Sequence, residues 1–208
     1  MTNLANSFNI LAFGAHPDDI ELGCGGSLLK AARAGHSIRA VVFSQGRRGN
    51  LNDADREQET RTALGRIGVH DIHVYDFEDT QLWKNVTELI AVIERHVSET
   101  GAHRAYSMFS EDRHQDHRAV YEASSIACRA VPQFLGYETP SSYPNFRPTI
   151  FENIESELED KIAALECHKS QGDRLYMQNA KVRAAAIFRG AQVSLGACEG
   201  FTPYKMII

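Results

Sequence analysis

The sequence has few of the features that mark secreted or membrane proteins. It contains only four cysteines in 208 residues, and no two of them form a CxxC pair. A disulfide framework is therefore not expected, and a reducing cytoplasm fits this cysteine usage. No apolar run approaches the roughly 18 to 20 residues that cross a bilayer, and residues 1–7 have neither the basic nor the apolar region of a signal peptide. We expect a cytoplasmic protein with no membrane span.

Positive charge is also scarce. The 22 Lys and Arg residues are outnumbered by 27 Asp and Glu residues, for a net charge of −5. A general nucleic-acid binder needs a basic surface, so no nucleic-acid partner is expected. Arg47 and Arg48 form the main local exception. They could steer an anionic substrate, but a solvated loop is the stronger interpretation. Homo-oligomer formation is left open by the sequence.

What the sequence does contain is a regular alternation of strand and helix patterns. This alternation predicts an α/β fold, a single Rossmann-like three-layer α/β/α domain over residues 1–208 with a mostly parallel sheet. The predicted strands are residues 8–13, 37–44, 71–77, 104–109, 134–138 and 201–208. The predicted helices are residues 27–34, 54–67, 85–100, 118–129, 154–167 and 172–189.

A histidine and two aspartates lie where the first predicted strand meets its helix. Ligands bind at this edge of an open parallel sheet. His16 and Asp19 are three residues apart, so one turn can point both the same way as half of a zinc site, which needs a third protein ligand. Asp18 must then point elsewhere and leave a carboxylate beside the metal. Alternatively, Asp18 or Asp19 only caps a helix after a proline turn.

A second cluster follows the fourth predicted strand, with His114, Asp116 and His117 before another helix. Neighbouring parallel strands would bring both clusters to the same sheet edge. His117 fits best as the third metal ligand because it begins a helix as Asp19 does. His114 lies one turn away, and Asp116 can act as its orienting carboxylate. One such cluster alone could be a surface turn, but two at equivalent junctions favour a metal site.

The two clusters resemble the A-H-P-D-D and H-x-D-H motifs of the PIG-L or LmbE-like family of zinc-dependent N-acetylglucosamine deacetylases. They stand here at residues 15–19 and 114–117, with the acid that follows the first motif, Glu21, displaced by one place. Weaker similarities extend the resemblance over nearly the whole chain, at residues 56–65, 161–171, 189–190 and 199–201.

The resemblance implies zinc on His16, Asp19 and His117, although ferrous iron suits the same ligands. It also implies that a metal-bound water attacks an amide carbonyl, with Asp18 as general base. His114 would be protonated and face the developing oxyanion, with Asp116 behind it.

Substrate contacts are predicted at three further positions. Arg56 matches a family position that reaches substrate hydroxyls or phosphate, although a solvated helix charge is an equal alternative. His168 is either a pocket residue or a histidine at a helix C-terminus, and Tyr143 is a candidate for the pocket rim. Specificity is expected to lie in loops 45–56 and 139–148.

These features predict a hydrolase that removes the acetyl group from an N-acetylated amino sugar or its conjugate. A zinc amidase acting on a bulkier amide or thiol conjugate is an alternative with the same metal. A nucleotide-binding Rossmann module without catalysis is an alternative of another class, although Gly23, Gly25 and Gly26 match the GxGxxG pattern poorly.

Overall fold

The computed structural model describes residues 7–49 and 54–208. Within these residues, seven strands form one sheet in the order β3-β2-β1-β4-β5-β7-β6. Strands β1 to β5 run parallel to one another, and β7 runs antiparallel to both β5 and β6. The strands are β1 (Asn9–Gly14), β2 (Ser37–Val42), β3 (Asp71–Val74), β4 (Arg104–Met108), β5 (Gln133–Tyr137), β6 (Ile150–Asn153) and β7 (Cys198–Met206).

The helices pack in two groups against this sheet. One group contains α3 and α4, and the other contains α1, α2, α5 and α6. β1 is covered on both faces, since every residue from Ile10 to Gly14 is buried. The α/β prediction with a mostly parallel sheet is therefore confirmed. The helices are α1 (Asp19–Arg33), α2 (Arg56–Arg66), α3 (Val86–Thr100), α4 (Gln115–Ala127), α5 (Leu158–Leu165) and α6 (Asn179–Ala191).

The topology places both predicted clusters at one edge of the sheet. β1 pairs directly with β4 in parallel, and each strand leads through a short turn into its own helix, α1 or α4. In the described part of the chain, no helix has the length and apolar character needed to cross a bilayer.

Helix α1 is longer than predicted. It begins at Asp19, eight residues before the predicted start at residue 27, and so includes the glycine-rich stretch 23–26. Cys24 has φ −140° and ψ 15°, which interrupts the helix at a kink. Local sequence gives no sign that helix continues across this interruption, because glycine has poor helix propensity.

Two distant side chains stabilise the kink in α1. The Glu199 carboxylate accepts hydrogen bonds from the backbone N–H groups of Gly26 and Ser27 and from the Ser27 hydroxyl. Lys161 Nζ donates to Glu199 at 2.6 Å and to the backbone oxygen of Leu22 at 2.7 Å. The groups that the interruption leaves free within α1 are therefore paired with β7 and α5.

Other differences from the prediction lie mainly in the second half of the chain. Strand β6 was not predicted, because it exists through its antiparallel pairing with β7, a non-local contact. The predicted helix over residues 172–189 begins only at Asn179, after a 3-10 turn at Leu175–Met177. The expectations for residues 1–6, and for residues 50–53 of loop 45–56, lie outside the described residues.

The contact between α1 and the sheet generates a stability prediction. A Cβ atom on Gly23 would lie 2.0 Å from the ring of Tyr137, which is fully buried and donates through its hydroxyl to the backbone oxygen of Phe13. We expect Gly23→Ala to lower the free energy of unfolding by about 1–3 kcal/mol through overpacking. Urea denaturation at constant m-value measures this change.

Gly65→Ala is the matched control. Gly65 also lies within a helix, α2, but its Cβ would meet no atom within 4 Å. Because alanine favours helix over glycine, this variant should be neutral or more stable by up to about 1 kcal/mol. Equal unfolding free energies for the two variants would contradict the predicted close contact at Gly23.

Candidate active site

The predicted metal ligands lie together at the shared edge of β1 and β4. His16 follows β1, Asp19 is the first residue of α1, and His117 lies in the first turn of α4. Asp19 Oδ2 is 3.5 Å from His16 Nδ1, and Asp19 Oδ1 is 3.2 Å from His117 Nε2. The carboxylate of Asp19 thus bridges the two imidazoles, and all three residues are buried.

His114 completes a cluster of three histidines. Its ring centroid is 4.7 Å from those of both His16 and His117. In the described part of the chain, two groups have ligand atoms close enough to hold a metal ion: His16 with His114 and His117, and His16 with Asp79 and Asp116. Imidazole nitrogens and carboxylate oxygens suit zinc and ferrous iron, so the residues present fit a divalent cation.

Carboxylates hold the far sides of the two predicted histidine ligands. His16 Nε2 lies 3.1 Å from Asp116 Oδ2 and 3.2 Å from Asp79 Oδ1. His117 Nδ1 lies 3.1 Å from Asp112 Oδ2. These contacts orient His16 Nδ1 and His117 Nε2 towards Asp19, as outer carboxylates do at metal sites.

The position of Asp116 corrects one sequence-based expectation. Its carboxylate was predicted to orient His114 but contacts His16 instead. The reason is its depth: Asp116 is fully buried and also accepts hydrogen bonds from the backbone N–H groups of Thr80 and Leu82. Only the backbone N–H of Asp116 contacts His114, donating to Nδ1 at 3.2 Å.

The electrostatic surroundings differ between the histidines. Burial lowers the pKa of His117, but Asp19 and Asp112 outweigh it and raise that pKa to about 9. Burial, followed by the charges of His16 and His117, holds the pKa of His114 below its usual value. The charges of Asp116 and Asp19 oppose this lowering of the His114 pKa but do not reverse it, so the surroundings of His114 do not favour its protonated form as expected.

Asp18 has an unusual backbone conformation and a raised pKa. Its φ of 107° lies in the left-handed region, which a non-glycine residue adopts only where its surroundings hold it. Burial, with a further contribution from Asp19, raises the pKa of the Asp18 carboxyl to about 6, although Arg56 partly opposes this. A carboxylate with this pKa can both accept and release a proton near neutral pH.

Arg56 supports the turn that carries Asp18. Its Nη1 donates to the backbone oxygen of Gly46 at 2.9 Å, and Nη2 donates to that of Pro17 at 2.7 Å and lies 3.4 Å from Asp18 Oδ2. Arg56 was predicted to contact substrate and does line the cavity, but these donors face the protein. Gly46 is required here, since its φ is +64° and a Cβ would lie 2.2 Å from Arg56 Nη1.

A cavity of about 410 Å³ opens over these residues. Its walls combine the histidine cluster with acidic residues and several arginines. They are His16, Asp18, Asp19, Leu22, Arg48, Gly49, Arg56, Asp79, Thr80, Arg113, His114, His117, Pro140, Ser141, Gln171, Arg174 and Tyr176.

Two predicted substrate contacts are not among these walls. His168 is buried beneath the site, where its Nε2 lies 2.9 Å from Glu21 Oε1. Tyr143 is 45% exposed and lies outside the cavity. Tyr176 is the tyrosine that lines the cavity, and it belongs to the 3-10 turn before α6.

Sequence reasoning also missed Asp79 and Asp112. Both lie in loops after strands, outside either motif. Asp79 contacts His16, which is distant in sequence, and Asp112 contacts His117 across the turn that precedes α4. Their one sequence signal is position, because loops after β3 and β4 reach the carboxyl edge of the sheet.

Comparisons with known proteins identify the family of this chain and several of its relatives. The family model for PIG-L, described as GlcNAc-PI de-N-acetylase, matches residues 11–128, which include both motifs. The uncharacterized deacetylase YaiS of Escherichia coli (strain K12) is 46% identical over 167 residues, covering 77% of this chain and 90% of that protein. The diacetylchitobiose deacetylase of Thermococcus kodakarensis is 26% identical over 187 residues, covering 78% of this chain and 69% of that protein.

Among solved structures, the conserved protein TT1542 from Thermus thermophilus has the same fold. Its TM-score is 0.86 at 23% sequence identity, and the match covers 97% of this chain and 96% of that chain. The family match spans more than half of the sequence and includes every motif residue at the site. The chain therefore belongs to the PIG-L family of deacetylases.

Proposed function

We propose that this protein is a metal-dependent hydrolase that removes the acetyl group from an N-acetylated amino sugar or its conjugate. The observation that carries the proposal is the meeting of His16, Asp19 and His117 beside the Asp18 carboxylate in an open cavity. Family membership and the similarity to a diacetylchitobiose deacetylase support the choice of an N-acetylated sugar.

His16, Asp19 and His117 would hold the metal ion, with zinc as the first choice and ferrous iron as the second. A divalent cation there supplies Lewis acidity, which polarises an amide carbonyl and lowers the pKa of water. The chain itself fixes the ligand atoms: the carboxylates of Asp116 and Asp112 hold the far nitrogens of the two histidines, so the near nitrogens keep their direction.

Asp18 is the general base in this proposal. Its carboxylate lines the cavity next to Asp19, and Arg56 fixes the turn on which it lies. An Asp18 oxygen accepts a proton from the attacking water and then delivers it to the nitrogen of the leaving amine. Asp18 Oδ2 lies 3.4 Å from Arg56 Nη2, whereas the two oxygens of Asp19 face His16 and His117, so the base and ligand roles fall to different carboxylates.

His114 acts as a neutral hydrogen-bond donor. Its Nδ1 accepts the backbone N–H of Asp116, so the proton of the neutral ring lies on Nε2. An Nε2–H group can donate to the oxygen that becomes negative during attack, without a charge on the ring. This assignment agrees with the lowered pKa of His114, because a lowered pKa favours the neutral ring over the charged one.

The nucleotide-binding alternative has little support from the glycine-rich stretch. The backbone N–H groups of Gly26 and Ser27 already donate to Glu199, so they are not free to bind phosphate. A Cβ on Gly23 or Gly26 would meet Tyr137 or Ile154 at 3 Å or less. These two glycines are thus explained by packing against neighbouring side chains.

Metal affinity tests the assignment of ligands. We expect His117→Ala to weaken zinc binding by at least about 100-fold, because it removes one of three ligands. His114→Ala should change the affinity by less than tenfold, since His114 is assigned to the substrate oxygen. Calorimetric titration of chelator-treated protein measures both. Unchanged zinc affinity in His117→Ala would remove His117 from the ligand set, and a large loss in His114→Ala would make His114 a ligand.

Turnover tests the reaction and the role of Asp18. The unmodified protein should release free amine and acetate from at least one member of a panel of N-acetyl sugars, and a chelator should abolish the release. Asp18→Asn should retain the metal but lose about 100- to 10,000-fold in kcat, the range typical of a missing general base. Full turnover in Asp18→Asn would exclude Asp18 as the base. The absence of amine release from every N-acetyl sugar would contradict the proposed reaction.

A further inference from the structure

A second cavity lies directly beside the catalytic one. Its volume is about 380 Å³, within the range of roughly 300–1,000 Å³ of ligand pockets. The two cavities share Leu22, Pro140 and Tyr176 as lining residues. A molecule that lies in the catalytic cavity and extends past these three residues enters the second cavity.

The charged groups in the wall of the second cavity are mostly paired with one another. Lys161 Nζ contacts Glu199 Oε1 at 2.6 Å, and both residues are buried. Arg189 donates to both carboxylate oxygens of Glu138, at 2.9 and 2.6 Å. Each pair is neutral as a whole, and Lys181 is the one other charged residue among the described residues of this wall. Because most of the charge is already balanced within the wall, it favours a neutral ligand over an ionic one. The catalytic cavity differs, since Arg48, Arg113 and Arg174 line it.

The rest of the wall is rich in apolar side chains. Helix α6 contributes Val182, Ala185 and Phe188. Phe188 is 59% exposed, and Tyr176 at the junction of the cavities is 36% exposed. Aromatic side chains left exposed around a cavity bind apolar or aromatic groups by covering surface that otherwise faces water.

We propose that this second cavity is a subsite for a neutral apolar or aromatic aglycone, attached to the N-acetylated sugar that occupies the catalytic cavity. The inference rests on the proposed function. In that reaction the acyl side of the amide ends in one methyl group, so a part of the substrate that reaches past Leu22, Pro140 and Tyr176 belongs to the amine side. The sugar then bridges the two cavities.

The test compares two glycosides and two variants. The methyl and 4-nitrophenyl β-glycosides of N-acetylglucosamine differ only in the aglycone. For the unmodified protein, kcat/KM should be about tenfold or more higher for the nitrophenyl glycoside. Ala185→Trp should bring this ratio close to one, because Ala185 lines the cavity on the exposed side of α6 and a tryptophan there fills it.

Ala184→Trp is the matched control. Ala184 is the preceding residue of α6 and is also exposed, but it does not line the cavity. This variant should keep the preference for the nitrophenyl glycoside. The inference is overturned if the unmodified protein hydrolyses both glycosides equally well, or if the two tryptophan variants lose the preference to the same extent.

A third comparison separates the two sides of the amide. N-hexanoylglucosamine and N-acetylglucosamine differ only in the acyl chain. If Ala185→Trp slows only the N-hexanoyl substrate, the cavity takes the acyl side and the aglycone assignment is wrong.

If no glycoside releases amine, the proposed function fails. In that case the affinity for the nitrophenyl glycoside, measured by calorimetry, tests the subsite. Ala185→Trp should weaken this affinity at least tenfold relative to Ala184→Trp. Equal affinities in the two variants would reject the subsite.

Discussion

The direct parallel pairing of β1 with β4 is the constraint on which the site depends. Ile10, Leu11 and Ala12 pair with residues 104–106, which fixes the two strands side by side and in register. The turn after β1 carries His16 and the segment after β4 carries His117, about 100 residues apart in sequence. The pairing brings both turns to the same edge of the sheet. A different strand order would separate these histidines, whatever their motifs.

Around this pairing, the chain uses distant contacts to hold short turns in specific positions. Arg56 fixes the backbone at Pro17, and Asp116 fixes the ring of His16 while it accepts two backbone N–H groups from the segment after β3. Glu199 and Lys161 pair the free backbone groups of the α1 kink. Each of these charged side chains is buried and hydrogen-bonded, which offsets the cost of removing it from water. The turns of the active site are therefore held by side chains from elsewhere in the chain.

Local sequence was sufficient for the parts of the structure that local physics determines. The buried run of β1 and the helical periodicity of α3 were predicted within about two residues. The His and Asp clusters were located because motif and strand position coincide. The start of α1 was missed because the helix across residues 23–26 depends on Glu199 and Lys161, which are far away in sequence.

In the candidate site, too, some features could be predicted from the sequence and others depend on packing. Proximity of His16, Asp19 and His117 followed from strand order and was predicted. The contact of Asp116 with His16 was not predicted. Two residues that are close in sequence, such as Asp116 and His114, need not face each other. Tyr143 was predicted to contact substrate from its expected position at the rim, and His168 from family resemblance. Neither kind of argument gives the direction of a side chain. Only the packed chain shows that Tyr176 takes the place at the cavity wall.

The charge balance of the site gives an independent argument for a divalent cation. Asp18, Asp19, Asp79, Asp112 and Asp116 are all buried around it, and Arg56 is the one buried arginine among the lining residues. The raised pKa values of the histidines at positions 16 and 117 express the resulting demand for positive charge. A divalent cation would supply the same charge as the two protons and would bind the same nitrogens. Binding of such a cation would therefore be coupled to loss of these protons, as ligand deprotonation requires.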